Sequence, residues 1–196
     1  MILVAAVLVG LAAGFCRAWI NKRAYRVYDL KYPILVLIAF IPQYFAFFAP
    51  KIRTQLMDNL VSILLVSSLI ILLIFAIFNI RKPSFWPILA GFLLNFLVII
   101  MNGGFMPISL TTVEKITAGI DSNWMIGQRF GYSKDIILAP EMTKLVFLSD
   151  RFTLTNIFGY SVAFSMGDIL IAIGVVWLLW MLGGAPPQTK KEIFNE

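Results

Sequence analysis

Long apolar blocks with almost no charge inside them constrain this chain more than any other feature. Five such blocks cover residues 1–18, 33–50, 60–80, 85–101 and 162–182. A helix needs about 20 residues to cross the roughly 30 Å hydrocarbon core of a bilayer. The blocks therefore predict an all-α integral membrane protein, with five transmembrane helices in one membrane domain that spans residues 1–196.

Composition excludes several other classes of protein. The chain is 60% apolar and 13% charged, against about 45–50% and about 25% in a soluble domain. It contains no histidine and one cysteine, Cys16, which rules out an internal disulfide and disfavours histidine-ligated haem, most zinc sites and imidazole proton transfer. We therefore expect no cofactor and no metal site.

The positions of lysine and arginine predict the orientation of the spans. Cations near span ends stay preferentially in the cytoplasm. Nine of them fall on one predicted side, and only Lys51 and Arg53 lie in a short loop on the other. The nine are Arg17, Lys22, Arg23, Arg26, Lys31, Arg81, Lys82, Lys190 and Lys191. This pattern predicts an outside N-terminus and a cytoplasmic C-terminus. Because the net charge of +6 comes mostly from these cytoplasmic cations, we expect the protein to attract anionic membrane lipids and not nucleic acid.

The connection between the fourth and fifth blocks, residues 102–161, is too rich in aromatic and aliphatic residues for a disordered linker. We expect an ordered extracytoplasmic cap. Thr111 and Glu114 have capping-box spacing, which predicts a short helix from that point. The apolar runs at 136–138 and 145–148 are compatible with strands or with loops packed on the membrane face.

Asp168 is the sharpest candidate for a functional residue, because it lies about six residues inside the fifth block. A carboxylate at the centre of a span costs on the order of 2.5–3.5 kcal/mol unless it meets a partner or water. One interpretation is a substrate, ion or proton site. The other is a structural hydrogen bond to Asn95, Asn102 or the backbone of a neighbouring helix.

The fourth block carries polar residues on one face and ends in a marked turn. Gly91, Asn95 and Asn102 recur at helical spacing, so the amides can hydrogen-bond across helices. Gly103 and Gly104 then permit unusual backbone torsions, and Met106 and Pro107 follow. The turn is either a helix stop or a backbone surface that presents amide groups to an anion.

Small residues form narrow faces on two of the predicted helices. Ala6, Gly10 and Gly14 recur every four residues on the first helix, and Gly167 and Gly174 form a comparable face on the fifth. Such faces allow close approach of another helix. They serve either internal packing or docking on another membrane protein.

Two motifs carry a family resemblance: NGGFMPIS at 102–109 and FSMGD at 164–168, with an intervening segment at 143–150. The chain resembles a bacterial membrane family named domain of unknown function 5317. In that family an N-G-G-x-M-P turn follows one span, and S-x-G-D enters the last span. The resemblance implies one outer-facing structural or binding site made of Asn102, Gly103, Gly104, Met106, Pro107, Ser165, Gly167 and Asp168. It implies no activity.

The sequence contains no nucleophile with a neighbouring base and no phosphate-binding glycine loop, so we expect no catalytic residues. We predict a non-enzymatic accessory or scaffolding subunit of a larger complex in the bacterial cytoplasmic membrane, bound to another integral membrane protein. The alternative is a small-solute or ion binding or transport component, with an outward-facing site at Asp168 and the turn at 102–107. An enzyme acting on lipid is a third reading.

Overall fold

The structure is a computed structural model that describes residues 2–25, 30–117, 123–157 and 159–184. Arg26, Lys190 and Lys191 of the predicted topology lie outside these residues. The described chain is mostly helical. Its elements in order are α1 (Ile2–Ile20), α2 (Ile34–Gln43) continued by a π-helical turn (Tyr44–Phe48), α3 (Pro50–Arg53), α4 (Asp58–Phe78), α5 (Phe85–Met101), β1 (Met106–Ile108), α6 (Leu110–Thr117), β2 (Asp135–Ile137), two 3₁₀ turns (Pro140–Met142 and Val146–Leu148), β3 (Phe152–Ile157), β4 (Tyr160–Phe164) and α7 (Met166–Leu182).

Two of the described helices, α1 with 19 residues and α4 with 21, are long and apolar enough to cross a membrane. Three further apolar helical segments are shorter: α2 with its π-helical turn, α5 and α7. Each of the five predicted blocks therefore contains an apolar helix, and two of these helices reach the length that a span requires.

Helix α7 lies between α1 and α5. Along α1, Gly10 faces Val176 and Leu179, and Gly14 faces Leu179 one turn further on, so α1 and α7 run parallel. On the other side of α7, Gly91 faces Gly167 at the start of the helix. Later residues of α7 meet earlier residues of α5, so α5 runs antiparallel to α7.

Helices α2 and α4 complete the bundle and also run antiparallel. Lys31, just before α2, bonds through its backbone to Asn79, just after α4. The hydroxyl of Ser68, in the middle of α4, donates a 2.8 Å hydrogen bond to Ala39 O and accepts one of 2.6 Å from Gln43 Nε2. Contact between Phe75 and Phe85 joins the end of α4 to the start of α5. Consecutive apolar helices therefore alternate in direction.

The segment between α5 and α7, residues 102–165, is the cap. Its strands β1 and β2 pair in parallel, and β3 and β4 form an antiparallel hairpin. The apolar run at 136–138 overlaps strand β2, and the run at 145–148 contains a 3₁₀ turn. The cap lies at the bundle end where α5 finishes and α7 begins.

The predicted short helix of the cap is present as α6, and two predicted boundaries in this region differ from the structure by one residue and by four residues. Helix α6 begins at Leu110 rather than Thr111, because Ser109 follows β1 directly and its Oγ accepts a 3.2 Å hydrogen bond from Thr112 N. Helix α7 begins at Met166 rather than residue 162, because residues 162–164 pair with β3 in the hairpin. The cap therefore ends at 165 instead of 161.

Candidate functional site

Asp168 is the third residue of α7 and forms a capping box with Ser165. Ser165 Oγ accepts a 3.1 Å hydrogen bond from Asp168 N, and Asp168 Oδ2 accepts one of 3.2 Å from Ser165 N. The prediction that Asp168 lies six residues inside a helix is therefore wrong, because the preceding residues form β4. A carboxylate in the first turn of a helix accepts hydrogen bonds from free N–H groups, and the positive end of the helix dipole stabilises its negative charge.

Asn95 of α5 bonds to both members of this capping box. Its Nδ2 donates a 2.9 Å hydrogen bond to Asp168 Oδ1, and its Oδ1 accepts one of 2.8 Å from Ser165 Oγ. Gly91 and Gly167 permit the close approach, since an added Cβ at Gly91 would overlap Gly167 O and one at Gly167 would overlap Asn95 Oδ1. The polar face of α5 therefore fixes the start of α7.

The turn at 102–107 holds the cap against the end of α5. Asn102 donates to Lys144 O at 2.9 Å and to Val98 O at 2.7 Å, and its Oδ1 accepts from Lys144 N at 2.9 Å. Gly103 and Gly104 both have positive φ, and Gly104 lies against Ser62. Asn102 thus bonds to the cap and its own helix rather than to Asp168.

Strand β1 then connects this turn to two charged residues of the cap. Met106 N donates to Lys134 O at 2.9 Å, just before β2, and Pro107 O accepts from Asp150 N at 3.0 Å. Met106 and Pro107 are both buried. Lys134 and Asp150 are thereby brought to opposite sides of β1, next to the start of α7.

Three carboxylates lie around the ammonium group of Lys134. Its Nζ lies 2.8 Å from Asp150 Oδ2, 3.6 Å from Asp135 Oδ1 and 4.0 Å from Asp168 Oδ2. The lysine side chain is 35% exposed, whereas that of Asp150 is 1% exposed. We call these four residues the aspartate cluster. Sequence reasoning missed Lys134, Asp135 and Asp150 as site residues; they lie within two residues of the apolar runs at 136–138 and 145–148, which was the one local signal available.

The aspartate cluster has three acidic groups for one basic group. Burial raises the pKa of Asp150 to about 7; Asp135 and Asp168 add to this rise, and Lys134 opposes it. Burial acts to lower the pKa of Lys134, but the three carboxylates outweigh it and the net shift is upward. In the described chain no group of three His, Cys, Asp or Glu side chains is arranged to hold a metal ion. The carboxylates are instead arranged around the ammonium group, a geometry that can bind or release a proton.

The small-residue faces lie between helices of the bundle. Ala6, Gly10 and Gly14 are buried, and an added Cβ at Gly14 would overlap the backbone carbonyl of Leu179. Gly174 likewise faces Ile88 of α5. These positions contribute to internal packing, which was one of the two interpretations open from the sequence.

Towards their N-termini α1 and α7 leave an open apolar groove of about 550 Å³ between them. We call it the α1–α7 groove, and its walls include Ala5, Ala6, Val9, Ala172, Ile173 and Val176. Trp177 and Trp180 also line it. The lining is almost wholly apolar, so the groove suits aliphatic or aromatic groups and offers nothing to hold a polar substrate.

These features define a mostly helical protein with a small β-containing cap fixed to one end of its bundle by buried polar groups. The model of the family described as Family of unknown function (DUF5317) matches residues 27–180, and the chain belongs to that family. The aspartate cluster, Asn95 and the turn at 102–107 all lie within the matched residues. No curated protein and no solved structure matches the chain.

Proposed function

We propose that the chain is a five-span protein of the bacterial cytoplasmic membrane, with its N-terminus and cap outside and its C-terminus inside. Support comes from the alternating directions of its apolar helices and from the cations at the end opposite the cap, among them Arg17, Lys22, Arg23, Arg81 and Lys82. The outer surfaces of α2 and α4 are also apolar, with large exposed side chains along both helices.

Thiol labelling tests this topology. In a Cys16→Ser background, a membrane-impermeant maleimide applied to intact cells should label Met142→Cys, an exposed position in the cap. It should label Lys22→Cys only after the membrane is opened. Labelling of Lys22→Cys in intact cells would contradict the proposed orientation.

Within that topology, the chain acts as a non-enzymatic accessory subunit that binds a transmembrane helix of another protein. The observation that supports this function is the α1–α7 groove. Helix α1 packs closely on α7 around Gly10 and Gly14, but the two helices leave a space near Ala5 and Ala172. Small residues on a lipid-facing surface let a further helix approach closely, where dispersion contacts stabilise association.

Photo-crosslinking in native membranes tests the accessory function. A photoreactive residue at Val9 or Ile173 in the groove should give one discrete protein adduct. The same residue at Ile63, an exposed position on α4, should not. Filling the groove with Ala172→Phe should abolish the adduct, whereas the control Ile63→Phe should leave it intact.

Two results would contradict docking at the groove: adducts to lipid alone, and a protein adduct of equal yield from Ile63. An adduct that persists unchanged in Ala172→Phe would place the partner elsewhere on the protein.

The alternative function is the binding or transport of a small solute or ion at the outer face. The aspartate cluster favours it, because it combines excess negative charge with a partly exposed lysine beside Asp168. Replacing Asp168 by Asn retains its shape and removes its charge. An accessory subunit should still assemble with this variant, whereas a protein that binds a cation or proton at Asp168 should lose that activity.

A further inference from the structure

The four titratable groups of the aspartate cluster do not balance in charge. Strand β2 and the residue before it supply Asp135 and Lys134, the loop before β3 supplies Asp150, and α7 supplies Asp168. Strand β1 contributes no titratable side chain, and the side chain that α5 contributes, Asn95, is neutral. With all four groups ionised, one positive charge would face three negative charges.

The two arginines of the cap are held elsewhere. Arg129 NH1 bonds to Asp58 at 2.9 Å, and its NH2 donates to Ser133 O at 3.2 Å. The guanidinium of Arg151 lies over the ring of Phe152. Within the described residues, the ion pairs of Asp135, Asp150 and Asp168 are all formed with Lys134.

The three carboxylates differ in how well hydrogen bonds stabilise their charge. Asp168 accepts from Asn95 and from the backbone of Ser165, and Asp135 accepts from Ser133 Oγ at 2.9 Å. Asp150 accepts a side-chain bond from Lys134 through Oδ2. Oδ1 of Asp150 and Oδ1 of Asp135 are both buried and have no hydrogen-bond partner in the described chain.

A buried, unpartnered oxygen is far more costly on an ionised carboxylate than on a neutral carboxyl group. The side chain of Asp150 is 1% exposed, against 13% for Asp135 and Asp168, so among the three aspartates Asp150 gains most from protonation. The partly exposed side chain of Lys134 leaves the cluster within reach of solvent at the outer face of the cap.

We propose that the aspartate cluster is a proton-binding site in which Asp150 takes up one proton from outside and so holds the cap on the bundle. The proton adds to a carboxylate oxygen of Asp150, no other covalent bond changes, and the cluster's net charge changes from two negative to one. The site does not depend on the accessory function; it specifies the ligand of the alternative.

Coupling to the cap follows from the contacts of the cluster. Asp150 and Lys134 both bond through their backbones to β1, and Asp168 lies in the first turn of α7. Loss of the proton adds a second uncompensated charge where the cap meets the bundle. Repulsion among the carboxylates then weakens the contact between β2 and the start of α7.

Infrared spectroscopy of the full-length protein in lipid nanodiscs tests the proposal directly. As the pH rises from about 5 to about 9, the carbonyl band of one protonated carboxyl group should disappear near neutrality. The band should be absent in Asp150→Asn. It should persist in Asp58→Asn, a control that removes an exposed carboxylate at the start of α4, paired with Arg129 of the cap.

The titration of the unmutated protein decides the matter even if Asp150→Asn does not fold. No titrating carboxyl band near neutrality would overturn the proposal. So would a titration midpoint that moves with Ca²⁺ or Na⁺ concentration at constant ionic strength, since the site would then bind a metal cation. A second variant, Asp135→Asn, should lower the midpoint, because it removes a negative neighbour of Asp150; an unchanged or raised midpoint would contradict the cluster geometry.

Discussion

Asn95 Nδ2 donates a 2.9 Å hydrogen bond to Asp168 Oδ1, and this contact joins the C-terminal half of α5 to the first turn of α7. The same amide accepts a hydrogen bond from Ser165 Oγ. One buried side chain on α5 therefore positions both partners of the capping box. Its effect extends to Lys134, since Asp168 Oδ2 faces that ammonium group.

Replacing Asn95 by Ala should lower the free energy of unfolding by about 1–3 kcal/mol, because two buried hydrogen-bonding groups lose their partner. Asp168→Ala should cost about as much, since it removes one half of the capping box at the start of α7. Unfolding in detergent micelles measures both. Asn59→Ala, at an exposed position of α4, is the control and should change stability by less than about 0.5 kcal/mol. Equal effects at Asn95 and Asn59 would contradict the proposed role of Asn95.

Replacing Lys134 by Ala should loosen the cap, because three carboxylates would then face one another without a cation. In the unmutated protein, one oxygen of each carboxylate lies 2.8–4.0 Å from Lys134 Nζ. Calcium binds carboxylate oxygens at about 2.3–2.6 Å, so after small movements it can take the place of the ammonium group. Calcium should therefore raise the thermal midpoint of Lys134→Ala. The midpoint of Lys144→Ala should not respond, because Lys144 bonds through its backbone and its side chain is exposed. A calcium effect of the same size in both variants would argue against the convergence of the three carboxylates on the position of the Lys134 ammonium group.

Replacing Asn102 by Ala should increase hydrogen exchange in the cap near Lys144, because Asn102 accepts the Lys144 N–H and donates to Lys144 O. Loss of these bonds removes on the order of 1–3 kcal/mol of local stability. Exchange followed by mass spectrometry would show faster deuteration at 143–148 and little change in α1. Uniform acceleration over the whole chain would indicate global destabilisation instead.

Replacing Gly14 by Ala should separate α1 from α7. The added methyl group would overlap the backbone carbonyl of Leu179, and overpacking of this kind costs about 1–3 kcal/mol. Disulfide formation between cysteines placed at Ala5 and Ala172, on the two walls of the α1–α7 groove, in a Cys16→Ser background would report the separation as a loss of crosslinking yield. Ala12→Leu adds more volume on the exposed face of α1 and should leave the yield unchanged.

Stability should fall as the pH rises through about 7. The pKa of Asp150 is raised from its ordinary 3.8 to about 7, so folding favours the protonated form. Its contribution is present below the unfolded pKa and is lost as pH rises through the folded value. The upward-shifted pKa of Lys134 keeps that group charged throughout this interval.

Thermal midpoints at about pH 5 and about pH 9 measure this dependence. The midpoint should drop in the unmutated protein and in Glu114→Gln, a control at an exposed carboxylate. In Asp150→Asn the thermal midpoint should be nearly the same at both pH values. A midpoint that rises with pH would contradict the sign assigned to Asp150.

The sequence by itself determined where the apolar helices lie, that a structured cap separates the last two, and which helix faces carry small residues. These are local properties: hydrophobic run length and helical spacing depend on neighbours within a few residues. The spacing of Gly10 and Gly14, for example, was sufficient to predict a close helix contact, although not its partner. Family membership also followed from the two motifs.

The formation of the aspartate cluster depends on the tertiary structure and could not be predicted from the sequence. Lys134, Asp150 and Asp168 are separated by 16 and 18 positions in the chain, and strand β1 brings the first two together through backbone hydrogen bonds. The start of α7 was likewise decided by the pairing of β3 with β4, which overrode an apolar run compatible with helix. Charge neighbours and strand pairing are non-local, so periodicity along the sequence carries little information about them.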